Sequence, residues 1–97
     1  MAELFVSRRA EHDLRQIWHS IATENPNAAD RLLLRIDDKI QLLRESPGIG
    51  TPRDDIRPGF RMLVVGNYLL LYEYDPVADT VELVTVVDGR RDLSRIL

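Results

Sequence analysis

The sequence predicts an α+β domain in which a helical hairpin packs on one face of a small, mainly antiparallel sheet, with elements in the order β-α-α-β-β-β. Apolar residues in the first half recur at the three-to-four spacing of helices, whereas after residue 59 they follow the period of two that strands show. Residues 46–59, rich in proline and glycine, separate the two halves. The 97 residues are enough for a single domain, residues 1–97, with one core.

The first half is predicted to be one short strand followed by two helices. The strand, of four or five residues, contains Leu4-Phe5-Val6, and Ser7 at its end is a good helix N-cap. The first helix carries its apolar residues on one stripe: Ala10, Leu14, Ile17, Trp18 and Ile21. The second starts at Asn25-Pro26, a cap followed by proline at the first helical position, and has its own stripe: Ala29, Leu33, Ile36, Ile40 and Leu43. Because the link between them is short, the helices form an antiparallel hairpin.

The second half is predicted to be a three-stranded meander at residues 60–65, 68–74 and 80–87. Apolar residues occupy both faces of these strands. In the central strand Tyr68, Leu70, Tyr72 and Tyr74 alternate with Leu69 and Leu71, and in the last strand Val81, Leu83 and Val87 alternate with Val84 and Val86. One hairpin covers one face, so the C-terminal tail, a second copy or a different chain must close part of the other, and we infer a protein partner. Closure by sheet twist, the 46–59 connection and the tail is the alternative.

Composition narrows the classes of function. Thirteen basic and sixteen acidic side chains give a net charge of −3, which argues against direct nucleic-acid binding, because phosphate binders usually carry a basic surplus. The absence of cysteine excludes disulfides, a thiolate nucleophile and Cys-based zinc sites. The longest apolar run, residues 68–72, is too short to cross a bilayer, and the N-terminus has no signal-peptide pattern, so we expect a cytoplasmic protein.

The search for a catalytic site finds few candidates. His12 and His19 share the polar face of the first helix but lack the partners of a metal-ligand motif, and no phosphate-binding loop is present, so we expect neither metal nor cofactor. Arginines could form an anion-binding cluster near the strand ends: Arg61, Arg90 and Arg91. The alternative is that they pair at the surface with nearby acids: Asp54, Asp55, Asp88 or Asp92.

Four sequence motifs in order carry a family resemblance. They are residues 7–18, the Pro47-to-Arg61 connection, residues 65–72 and the Val-Val-Asp-Gly-Arg-Arg-Asp-Leu run at 86–93. With these motifs the chain resembles the RelE/ParE toxin superfamily of bacterial type II toxin-antitoxin modules, and the ParE branch most closely. The resemblance covers nearly the whole chain. It implies a small toxin that a ParD-like antitoxin neutralises by wrapping its surface, in a toxin-antitoxin hetero-oligomer.

The superfamily contains two chemistries, and the resemblance favours one. RelE-like members cleave messenger RNA on the ribosome, whereas ParE-like members inhibit DNA gyrase by binding. Many relatives have His where this chain has Asp88, which cannot donate a proton when ionised, and the only lysine, Lys39, lies within the second helix. The resemblance therefore implies a gyrase-binding toxin. The alternative is a ribosome-dependent endoribonuclease that uses Arg61, Arg90 and Arg91, with Tyr68 or Tyr72 near the site.

Contact residues are predicted from residue type and position. The expected antitoxin anchors are aromatic or arginine side chains in apolar surroundings: Trp18, Arg61, Tyr72 and Arg91. The tail is the expected target-binding element, through Arg90, Arg91, Leu93 and Arg95. Off the apolar stripe of the second helix, Leu34 and Leu42 are a further candidate contact.

Overall fold

The computed structural model describes residues 1–90. Its elements follow in the order β1 (Glu3–Val6), α1 (Arg8–Ala22), α2 (Pro26–Glu45), β2 (Thr51–Pro52), β3 (Arg61–Val65), β4 (Tyr68–Asp75) and β5 (Thr80–Asp88). The predicted fold class is confirmed. The structure adds β2, a two-residue strand inside the connection that the sequence indicated to be irregular.

The two helices begin where the capping residues predict. The Ser7 side chain accepts a hydrogen bond from the Ala10 N–H, and the Asn25 side chain accepts one from the Ala28 N–H, so each satisfies an N–H that the first helical turn leaves unpaired. Within residues 1–90, neither helix combines the length and apolar character that crossing a membrane demands.

The five strands form one sheet in the order β1-β5-β4-β3-β2. The β1–β5 pair is parallel and the other pairs are antiparallel. Between β4 and β5 the register shifts, since Leu71 pairs with Thr85 whereas Tyr72 pairs with Leu83, which leaves Val84 as the extra residue of a β-bulge.

The bulge corrects one prediction about β5. Strict alternation grouped Val87 with Val81 and Leu83, but the extra residue moves the pattern by one position. Val86, and not Val87, therefore joins Val81 and Leu83 in the core cluster.

The core lies between the hairpin and one face of the sheet. The buried residues of α2 are Ala29, Leu32, Ile36, Ile40 and Leu43. Leu33, predicted for this stripe, is only half-buried, because Leu32 continues the three-to-four spacing between Ala29 and Ile36. Leu70 and Tyr72 of β4 are fully buried in the same cluster.

The opposite side of the sheet, here called the outer face, is partly covered by the chain itself. Arg57 forms an ion pair with Glu73 and also stacks on the Phe60 ring, 4.1 Å from its centroid. Arg53 donates a hydrogen bond to the Met62 sulfur. The 53–60 segment thus closes the β3–β4 part of this face, in line with the alternative based on the connection. Two outer-face residues stay exposed, Phe5 by 47% and Val64 by 52%.

Candidate functional site

Two predicted site residues, Tyr72 and Arg61, bind the same loop. They are direct partners across the β3–β4 pair, so their side chains leave the sheet on the same face. The Tyr72 hydroxyl donates to the Pro47 carbonyl at 2.7 Å and accepts from the Gly50 N–H at 2.8 Å. Arg61 Nη1 donates to the carbonyls of Gly48 and Gly50 at 3.1 and 2.8 Å. We call these two side chains the loop clamp, because together they hold residues 47–50.

Their positions in the loop clamp determine the protonation of the Tyr72 hydroxyl and the partners of the Arg61 guanidinium. Burial raises the pKa of the Tyr72 hydroxyl, opposed by its hydrogen bond from Gly50 and by the nearby charge of Arg61, so the hydroxyl is neutral and donates at neutral pH. Tyr72 is 0% exposed, a core residue beneath the loop. Its role as an antitoxin anchor stays a prediction, and contact with it would require residues 47–50 to move. Arg61 is half-buried, and Nη1 is committed to two backbone carbonyls rather than to an acidic side chain.

We expect Arg61→Ala to destabilise the chain by about 1–2 kcal/mol, because two loop carbonyls lose a charged donor but partly regain water. Urea unfolding measures the change, and faster native-state proteolysis near residues 47–50 would locate it in the loop. Arg35→Ala, at an exposed arginine of α2, is the matched control and should change stability by less than about 0.5 kcal/mol. Equal effects of the two substitutions would contradict the loop-clamp role.

Arg90 follows β5, just past the residue that pairs with the start of β4, whereas Arg61 pairs with the middle of β4. The Arg90 guanidinium binds Asp88 through two bonds, Nε to Oδ1 at 2.9 Å and Nη2 to Oδ2 at 2.6 Å. This hydrogen bonding raises the pKa of Arg90. Asp88, which binds Arg90, pairs with Tyr68, whereas Arg61 pairs with Tyr72, so the pairing positions of Asp88 and Arg61 are four residues apart along β4, about 13 Å at ~3.3 Å per residue. Within residues 1–90 the arginines therefore do not converge. Arg91, Leu93 and Arg95 lie outside the described residues.

A groove of about 400 Å³ separates α1 from the end of β5. Its lining from the helix is Arg9, Asp13, Gln16, Ile17 and Ser20, and from the sheet Tyr68, Thr85, Val86, Val87 and Asp88. The groove forms because β1 pairs with β5 only as far as Leu83 and the chain then turns into α1. Charged and polar side chains alternate in this lining with the apolar side chains of Ile17, Val86 and Val87, so the groove offers both polar and apolar contacts to a peptide segment.

Asp13 closes the edge of β5 at the base of this groove. Its Oδ2 accepts from the Thr85 hydroxyl at 2.6 Å and from the Val86 N–H at 3.1 Å. Ser7 Oγ donates to the Val84 carbonyl at 2.6 Å. Sequence reasoning missed this role, although a signal exists: Asp13 lies three residues after Ala10 and four before Ile17, within the helical stripe that faces the core.

The remaining predicted contacts lie on the hairpin. Trp18 is half-buried, and its indole N–H donates to Asp30 Oδ1 at 2.9 Å, which links α1 to α2. Leu34 and Leu42 are 66% and 42% exposed, as expected for residues off the apolar stripe. His12 and His19 are exposed, and residues 1–90 contain no group of three or more His, Cys, Asp or Glu able to hold a metal ion.

Fold and surface together define a class: a small α+β protein with a groove of mixed polar and apolar lining and with exposed apolar residues. The sequence matches the family described as "ParE toxin of type II toxin-antitoxin system, parDE" over residues 4–93. Toxin ParE1 of Mycobacterium tuberculosis is 30% identical over 93 residues, covering 95% of this chain and 94% of that protein. Toxin ParE3 of Caulobacter vibrioides is 27% identical over 95 residues, covering 97% and 93%.

A solved structure shows the same fold. A chain of the "Chromosomal ParDE TA system from P. aeruginosa" superposes with a TM-score of 0.75 at 20% identity, covering 91% of this chain and 96% of that one. The chain belongs to the ParE toxin family of type II toxin-antitoxin systems. The predicted family resemblance is thereby confirmed.

Proposed function

We propose that this ParE-type toxin acts in the cytoplasm by binding DNA gyrase, without catalysing a reaction, and that a ParD-like antitoxin neutralises it in a hetero-oligomer. Family membership supports the toxin class. The mode of action rests on one observation, the disposition of the two candidate phosphate-binding arginines within residues 1–90.

Cleaving a phosphodiester requires cationic donors that converge on the developing phosphorane and a group that moves the proton. Arg61 Nη1 is instead committed to two loop carbonyls, and Arg90 to Asp88. The pairing positions of Arg61 and of Asp88, the residue that holds Arg90, are four residues apart along β4, and Asp88 is an acceptor that already binds Arg90. This arrangement supports binding and disfavours the ribonuclease alternative.

The antitoxin contacts that we propose are on the flank of the hairpin and at the rim of the sheet. Trp18 and the exposed side chains of Leu34 and Leu42 supply apolar contact area. Arg91 supplies a charged contact, and Arg61 supplies one through the guanidinium nitrogens other than Nη1, which holds the loop. The groove of about 400 Å³ beside α1 is the site that we propose for an extended segment of the same partner.

The test is a supercoiling assay with purified gyrase and excess toxin. We expect slower supercoiling and accumulation of cleaved plasmid, with activity restored by the product of a neighbouring reading frame that encodes a ribbon-helix-helix protein. Arg90→Ala removes a side chain that is 69% exposed, so the fold should survive while inhibition weakens about 30-fold, the effect of losing an arginine hot spot. Arg35→Ala is the exposed control.

Two outcomes would overturn the proposal. Full gyrase activity at saturating toxin would show that gyrase is not the target. Cleavage of ribosome-bound message by the purified chain, abolished by Arg61→Ala, would replace binding with catalysis.

A further inference from the structure

Within residues 1–90 the sheet has four stretches of free edge: β1, β2, β5 beyond Leu83, and β3 beyond Met62. The β3 stretch is only three residues long, 63–65. Two of the others are protected against strand addition. The β2 edge is two residues long and contains Pro52, which cannot donate a ladder hydrogen bond. The β5 edge beyond Leu83 is occupied by side chains, since Ser7 binds the Val84 carbonyl and Asp13 binds the Val86 N–H. The side chains of Ser7 and Asp13 therefore make the hydrogen bonds that a neighbouring strand would otherwise make at this edge.

The β1 edge has no such protection. The N–H groups of Glu3 and Ser7 donate to β5, to the carbonyls of Asp79 and Leu83. Because alternate residues of a strand direct their backbone groups to the same side, those of Leu4 and Val6 point to the open edge. Within residues 1–90, β1 pairs only with β5. The Ala2 N–H is taken by the Arg44 carbonyl, so the open edge starts at Leu4.

We propose that a second copy of this chain pairs with this edge, β1 antiparallel to β1, about a two-fold axis at Phe5. In this register Leu4 faces Val6 of the second copy in a hydrogen-bonded pair, and the reverse pair is formed by symmetry. Phe5 faces its own equivalent in the non-hydrogen-bonded position, where side chains approach closely. Phe5, on the outer face and 47% exposed, becomes covered by this contact.

Register and charge both favour the second copy as the occupant. A shift of two residues in either direction would bring Ala2, already bonded, or Arg8, already helical, into the ladder, so only the Phe5-centred register pairs both open residues. In that register Glu3 faces Ser7 of the second copy and lies beside its Arg8, and no like charges oppose each other. The strand is therefore complementary to itself.

The contact is small compared with the roughly 1,200–2,000 Å² of a stable interface, so we expect a reversible dimer that depends on concentration. The proposal is independent of the toxin's target. It predicts that sedimentation of the wild-type chain shows a mass rising toward the dimer at tens of micromolar protein, and that Phe5→Lys weakens dimerisation at least 10-fold, since two ammonium groups would then oppose each other.

A single-cysteine cross-link tests the geometry directly, because the chain has no cysteine of its own. Directly opposed residues have Cβ atoms about 4.5–5.5 Å apart, close enough for a disulfide after small adjustment. We expect Phe5→Cys to form covalent dimers under mild oxidation about 10-fold faster than Val64→Cys. Val64 is the matched control, since it lies on the same face, is 52% exposed, and is on β3, far from the axis.

Equal cross-linking rates for the two variants would show random collision and overturn the proposal. A wild-type chain that stays monomeric at all concentrations would also overturn the proposal. If, in addition, the Phe5→Cys thiol reacts with maleimide in the free chain and is protected only when antitoxin is added, the β1 edge belongs to the antitoxin. Thermal unfolding establishes that both variants are folded. We expect them to be, because both substituted side chains are about half exposed.

Discussion

Gly50→Ala is expected to destabilise the chain by about 3 kcal/mol or more. A Cβ at this position would lie 2.6 Å from the Tyr72 hydroxyl oxygen and 2.7 Å from its Cε1, inside any allowed contact. Tyr72 is fully buried and cannot move aside, so the loop must move instead. Overpacking contributes about 1–3 kcal/mol, and the Gly50 N–H and Pro47 carbonyl lose their hydroxyl partner at a further cost of about 1–3 kcal/mol.

Gly48→Ala is the matched control for Gly50→Ala. Both glycines are in the loop held by Tyr72 and Arg61, but nothing lies within 4 Å of a Cβ at residue 48. It should be neutral or slightly stabilising, since alanine reduces the entropy of the unfolded chain. Thermal unfolding measures the contrast: Gly50→Ala should lower Tm by more than 10 °C at about 4 °C or more per kcal/mol. Tyr72→Phe should not rescue it, because the ring carbon also clashes. Equal Tm values for the two variants would contradict the loop-clamp geometry.

Asp13→Ala is expected to cost about 3 kcal/mol. The substitution removes the acceptor of both the Thr85 hydroxyl, which is 0% exposed, and the Val86 N–H. A buried donor left without a partner costs about 1–3 kcal/mol, and bonds to a charged acceptor are at the upper end of the range. Urea unfolding and faster amide exchange at Val86 measure the effect.

Asp37→Ala removes the same carboxylate from an exposed site of α2 and should change stability by less than about 0.5 kcal/mol. Thr85→Val combined with Asp13→Ala should cost at least 1 kcal/mol less than the sum of the two single changes, because the valine no longer presents an unpaired hydroxyl. Strict additivity would show that the Asp13–Thr85 contact contributes nothing.

The spacing of apolar residues and the positions of capping and turn residues were enough to predict most of the fold. The stripe of α1, the Asn25-Pro26 start of α2 and the Gly66-Asn67 turn all rely on local preferences that act without knowledge of the rest of the chain. Gly66 has a φ of +58°, which suits the left-handed conformation this hairpin turn requires. The same reasoning failed at Val84, since a bulge follows from the pairing of two strands distant in sequence.

Candidate site residues were harder to place than elements. Residue type alone made Arg61 and Tyr72 candidate anchors, but their partners come from a loop more than ten residues away, and type does not reveal the partner. Asp13 drew no prediction, because its partners, Thr85 and Val86, come from the last strand, far from it in sequence.

The amino-acid order alone thus determined the class of protein: two amphipathic helices, a meander and the ParE motifs, with a charge balance that disfavours nucleic-acid binding. Tertiary structure decided which polar groups form hydrogen bonds within the molecule and which remain free to bind a partner. Hydrogen-bond partners far apart in sequence meet only when the sheet closes, so the loop clamp, the Asp13 edge contact and the open β1 edge are properties of the folded chain.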